Sequence, residues 1–236
     1  AIAHSVLGGI GVALYLQTEV GWSWCHPLYG AIAAALAAAL IIGFVTLRAR
    51  QREDTVIGAL WAIGMAVGLL FIAKTSGYVD PMSYLFGDIL LITRRDVWMI
   101  ALLDGVVVAL GVFFYNKMLA VCFDEEFARL RGIKVEIYYL LLLCLTALTV
   151  VLLVSIVGIV MVIALLTLPA AVGGQFSRRL WQMMGLSVFF CMVFTSAGLG
   201  VSYSYDLPSG PTIIVFAGAV YLVVVVAGRF WKRRRA

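Results

Sequence analysis

The feature that most constrains this chain is a succession of long apolar runs almost free of charge. They read Tyr29 to Leu47, Val56 to Ala73, Val97 to Tyr115, Ile137 to Val154, Val157 to Val172, Met183 to Leu199 and Thr212 to Gly228, with a partial run before Gln17. A bilayer core accepts a helix of about 20 apolar residues. In hydrocarbon every backbone N–H and C=O needs a partner within the protein, which leaves helices and closed barrels. None of the runs alternates like a barrel strand. The expected fold class is therefore all-α, a polytopic membrane helical bundle with about seven or eight spans. Hydrophobic residues make up 64% of the 236 and charged residues 12%, against roughly 25% charged in a soluble domain. That composition predicts one transmembrane domain over residues 1–236 and no attached soluble domain. The first residue is Ala1, and Val6 to Leu16 is too short to span, which predicts an N-terminal truncation inside a membrane segment.

If consecutive runs cross in opposite directions, one side collects Arg48, Arg50 and Arg52; Lys117, Arg129, Arg131 and Lys134; Arg178 and Arg179; and Arg229, Lys232, Arg233, Arg234 and Arg235. Those are 14 of the 17 basic residues. The other side holds Lys74, Arg94 and Arg95. Basic residues concentrate on the cytoplasmic side of membrane proteins, so the first set, including the C-terminal tail, is expected in the cytoplasm. The net charge of +5 is then a topology signal and not a nucleic-acid footprint. Trp22, Trp24, Tyr29, Trp98, Trp181, Tyr203, Tyr205 and Trp231 fall at run ends, where amphipathic rings favour the lipid interface. Small residues, Ala31 to Ala39 and the pair Gly64 and Gly68, predict closely packed helices. Cys25, Cys122, Cys144 and Cys191 lack the close pairing of a zinc site or a disulfide framework.

The charged segment Phe123-Asp124-Glu125-Glu126-Phe127-Ala128-Arg129-Leu130-Arg131-Gly132-Ile133 separates two apolar runs on the predicted cytoplasmic side. It suits a short helix: acids near its positive N-terminal end, arginines near its negative C-terminal end, and Gly132 as the stop. Phe127 and Leu130, three apart, would share a face that could fill a groove on a partner, or the helix could be a solvated loop element.

This segment resembles the coupling helix, here about residues 120–134, of permease subunits of ABC importers for zinc, manganese or iron. Four further stretches agree in order: Ala3-His4-Ser5 with Leu7-Gly8-Gly9; Ser76-Gly77 through Asp80 to Leu85-Phe86-Gly87-Asp88-Ile89-Leu90; Val157-Gly158-Ile159-Val160 through Leu168-Pro169-Ala170-Ala171; and Ser202-Tyr203 through Asp206-Leu207-Pro208-Ser209-Gly210. The resemblance implies a fold of the cobalamin-importer-like type in a bacterial inner membrane. It implies two permease copies around a path, cytoplasmic ABC ATPases and an extracytoplasmic metal-binding protein. Asp124, Glu125, Glu126, Phe127, Ala128, Leu130 and Gly132 would then serve ATPase coupling. Zinc leads as cargo, with manganese or iron as alternatives. The ion is substrate and no cofactor belongs to the chain, which is expected to be non-catalytic. It contains no Gly-Lys-Ser/Thr phosphate loop, so ATP would bind the partner.

The family carries an acid one turn before the residue matching His4, a position just upstream of Ala1. Through the resemblance His4 becomes a path ligand, since neutral imidazole with carboxylate suits Zn, Mn or Fe(II); taken alone, such a histidine is more often a hydrogen-bonded buried one. Asp104, mid-run, is a second path candidate or a packed, protonated acid. Asp80, Asp88 and Asp206 fall on the extracytoplasmic side as docking or ion-attracting groups, or as caps and solvated loop residues. Gly158 and Pro169 mark a segment that either bends during transport or holds a static kink. The rival readings are a permease for a metal chelate or cobalamin-type substrate and an ion-coupled secondary transporter centred on Asp104. A membrane protease is disfavoured, because His4 and His26 are the two histidines and no His-Glu-x-x-His helix occurs.

Overall fold

The structure is a computed structural model and describes residues 1–49, 53–76, 81–87 and 93–233. Among these residues every regular element is a helix: α1 (Ile2–Thr18), α2 (Pro27–Phe44), α3 (Glu53–Lys74), α4 (Pro81–Phe86), α5 (Arg94–Phe113), α6 (Tyr115–Phe123), α7 (Glu125–Leu130), α8 (Val135–Val157), α9 (Ile159–Phe176), α10 (Leu180–Tyr205) and α11 (Ser209–Arg233). α2 runs on into a π-helical turn, Val45–Ala49. Among the described residues six helices are long and apolar enough to cross a membrane, or seven if a bent pair counts as one span. α1 is a shorter apolar helix. The expected bundle is therefore present. The run Val97 to Tyr115 differs in detail: the helix bends by 72° at Phe114, between α5 and α6.

Helix ends follow local rules. His26 caps α2, its Nδ1 accepting the Leu28 N–H at 3.2 Å, and Pro27 opens the first turn, where its missing N–H costs nothing. Hydroxyls within the spans bond back to their own helix, Thr146 to Leu142, Thr149 to Leu145, Ser187 to Met183 and Thr195 to Cys191. A bilayer offers no water to satisfy them, so the helix itself does.

The chain divides into two compact units. The first, Ala1–Pro81 with Ile92–Ser155, is built around α1. A Cβ added at Gly8 would stand 2.9 Å from the Gly64 carbonyl oxygen of α3, one at Gly11 would meet Gly68, and one at Gly9 would collide with Gly30 of α2. Backbones this close gain dispersion contacts where lipid supplies no hydrophobic driving force between helices. Ala31, Ala35, Ala38 and Ala39 of α2 are buried in the same unit, as the small-residue pattern predicts. The second unit, Met82–Leu91 with Ile156–Ala236, packs α9, α10 and α11 around Val172, Phe194 and Ala217. The Phe194 and Phe190 rings lie tilted to each other at 5.9 Å, and Gly198 admits Ile213 of α11.

Candidate functional site

Three places carry the residues singled out by the sequence, and the α6–α7–α8 corner of the first unit is the most fully built. Asp124 is extended (φ −155°, ψ 101°) and its Oδ1 accepts the Phe127 N–H at 2.9 Å, the geometry of an N-cap. Glu125 and Glu126 occupy the first turn of α7 and Arg129 the last, each complementing the helix dipole. Gly132, at φ +76°, ends it, while Ile133 N donates to Ala128 O at 3.0 Å. Ala128 is fully buried against Val121 of α6 and Val135 of α8. The opposite side is open: Phe127 is 49% and Leu130 87% exposed. Arg131 lies 4.8 Å from the Phe127 ring centroid, and Arg129 pairs with Glu136 at 3.0 Å. Both partners of that pair are half exposed, so it steadies α7 by no more than about 1 kcal/mol.

The second place is the start of α1. His4 is partly exposed, yet its Nδ1 is buried without a hydrogen-bond partner. Its ring meets Trp61 of α3 edge-on at 5.5 Å. Neighbouring Ser5 donates its hydroxyl toward Leu60 O at 3.4 Å. An imidazole nitrogen held in this way can accept a proton donor or an ion. Asp104 lies mid-way along α5 and is exposed. Among the described residues no three of His, Cys, Asp and Glu gather into a group able to hold a metal ion.

The third place is in the second unit. Asp206 ends α10 in the left-handed region (φ 52°, ψ 45°), and Ser202 Oγ donates to Leu207 O at 2.6 Å. Behind this turn lies an open cavity of about 810 Å³ lined by Phe86, Ser196, Ser202, Tyr203, Asp206 and Ser209, among others. Asp80 and Asp88 lie outside the described residues. Gly158 sits between α8 and α9 as the cap of α9, and Pro169 is buried inside α9, which continues through it.

Sequence reasoning missed two contacts. Glu19, at the end of α1, accepts the Ser76 N–H at 2.6 Å. Hydrogen bonding from Ser76, from its side chain first and then its backbone N–H, holds the Glu19 carboxyl below the ordinary carboxylate value. Lys117 Nζ donates to Tyr138 Oη at 2.9 Å. The partners are 57 and 21 residues apart, so no helical periodicity could have signalled either.

The profile described as the ABC 3 transport family matches residues 1–228. The uncharacterized membrane protein slr2045 of Synechocystis is 44% identical over 223 residues, which cover 94% of this chain and 77% of that protein. The manganese transport system membrane protein MntC of Halalkalibacterium halodurans is 32% identical over 244 residues, covering all of this chain and 81% of the relative. Among solved structures, PsaBC from Streptococcus pneumoniae in complex with Fab superposes with a TM-score of 0.79 at 29% identity, covering 94% of this chain and 78% of that one.

Proposed function

The chain belongs to the ABC 3 transport family, and on that premise we propose that it is the multi-pass permease subunit of an ATP-binding cassette importer for a divalent transition-metal ion. Residues 1–236 act as one permease, their two units included. The metal reading draws on the manganese system among the relatives. Manganese accordingly stands beside zinc, and iron(II) follows, since all three accept imidazole and carboxylate ligands. The ion is cargo, so binding must be weak enough for release.

The observation that carries the reading is α7: a six-residue helix, capped and stopped, buried on one side at Ala128 and bare on the other at Phe127 and Leu130. A folded helix face of this kind costs solvation unless a partner covers it. On this reading an ATPase subunit covers it, on the cytoplasmic side with the C-terminal tail, and nucleotide closure there drives alternating access. Asp124, Glu125, Glu126, Phe127, Ala128, Leu130 and Gly132 serve that coupling. His4 contributes its free Nδ1 to the path and Asp104 lines it next to a second permease copy. The bowl around Asp206 receives the metal-binding protein outside, and Asp80 and Asp88, outside the described residues, are assigned the same docking or entry role by the sequence alone. Gly158 and Pro169 lie in the segment that bends.

The test is uptake of radioactive manganese and zinc by cells lacking their own importers, carrying the full-length permease with its ATPase and binding protein. Uptake of one metal that requires the ATPase and disappears with His4→Ala, in protein that still assembles, is expected. Uptake that persists without the ATPase would sink the proposal.

A further inference from the structure

The bend between α5 and α6 needs support, because it interrupts a rod. Its 72° angle falls at Phe114, where neither Pro nor Gly stands. The backbone bonds at the bend stop and restart at Phe114 without crossing it: Phe114 N donates to Leu110 O at 2.9 Å, and Lys117 N and Met118 N donate to Phe114 O at 3.0 and 2.9 Å. With no backbone bond across Phe114 and Gly111 one turn before it, contacts from a neighbouring element are what can hold the angle.

Two such contacts tie α6 to α8. At the start of α6, Lys117 Nζ bonds Tyr138 Oη at 2.9 Å and lies 5.3 Å from the Tyr138 ring centroid and 5.7 Å from that of Phe114. With the hydroxyl so near and the centroid so far, the ammonium sits at the hydroxyl end of the tyrosine and not over its face. The charge-assisted hydrogen bond therefore dominates the cation–π attraction. The Phe114 and Tyr138 rings themselves approach to 5.7 Å. At the end of α6, Val121 packs with Ala128 of α7 and Val135 of α8.

We infer that Lys117 and Tyr138 form a positioning clasp that makes α6, α7 and the first turns of α8 one rigid body. A displacement of α7 then reaches α5 through the bend instead of being absorbed there. This rests on the reading of α7 as the ATPase-docking segment. Neither residue touches the cargo; both act by holding the angle.

The experiment uses the full-length permease, its ATPase and its binding protein reconstituted in vesicles. It records metal transported per ATP hydrolysed, together with hydrogen exchange of amides 115–123 in the purified complex. Tyr138→Phe, which removes one oxygen and keeps the ring, and Lys117→Met are each expected to lower the transport ratio several-fold, with the ATPase still co-purifying. Exchange in 115–123 should quicken several-fold. The double variant should be no worse than either single, as expected of partners in one interaction. Lys117→Arg, which keeps a charged donor, should restore the ratio. An unchanged ratio in both single variants, unchanged exchange, or a fully additive double variant would overturn the clasp. A wild-type complex that moves no metal would defeat the function proposed above instead, and the exchange result would then decide the clasp by itself.

Discussion

Gly158 and Gly87 meet backbone to backbone, both in the left-handed region, at φ +79° and +66°. A Cβ on Gly158 would collide with Gly87 N, and one on Gly87 with the Val157 carbonyl carbon and Gly158 N. A side chain in this conformation costs about 1–2 kcal/mol before any clash, and here the obstruction is main chain, which cannot swing aside. Gly158→Ala and Gly87→Ala should each lower the midpoint of thermal unfolding in detergent and the yield of inserted protein. Gly58→Ala in α3, where nothing lies within 4 Å of the added carbon, should leave both unchanged or slightly raised. Equal behaviour of the three variants would contradict the contact.

The Asp124 cap separates geometry from charge. Asp124→Ala removes the acceptor of the Phe127 N–H and should cost about 1 kcal/mol of α7 stability. ATPase co-purification should weaken accordingly. Asp124→Asn retains an oxygen at the same position and should preserve capture. If Asn fails as badly as Ala, the negative charge and not the cap is what the partner reads.

The two sides of α7 predict opposite phenotypes. Phe127→Ser and Leu130→Ser alter exposed groups and should change thermal stability by less than about 0.5 kcal/mol, yet abolish ATPase capture on a pull-down. Ala128 is fully buried, so Ala128→Leu should overpack the contact with Val121 and Val135 at a cost of about 1–3 kcal/mol. Loss of stability in the serine variants would show that this face is covered from within the protein.

The Glu19 to Ser76 bond predicts a pH dependence of definite sign. Hydrogen bonding from the Ser76 side chain and its N–H lowers the Glu19 pKa below its ordinary value of 4.5 in the folded chain. Its stabilisation is thus complete above the ordinary value and is lost as pH falls through the lowered one. Protection of the Ser76 amide against exchange, corrected for intrinsic rate, should fall on acidification in the wild type. Glu19→Gln should remove the pH dependence and Glu19→Ala the protection itself. Protection that stays flat through the acid range would rule the bond out.

The spans, the short charged helix that begins near Asp124 and stops at Gly132, and the close packing around Gly64 and Gly68 were legible in the residues. Lipid forces each helix to satisfy its own backbone, and caps and stops act within a turn, so neighbours in sequence suffice to write these elements. Other features join distant residues: the bend at Phe114, the Lys117 bond to Tyr138, the Glu19 bond to Ser76 and the meeting of Gly87 with Gly158. The unpartnered Nδ1 of His4 and the exposure of Asp104 belong with them. A run of apolar residues tells a helix to cross the membrane, but almost any rotation about its axis would bury it equally well in lipid. Only packing against particular neighbours selects that rotation, so it was the tertiary structure that decided which side chains meet.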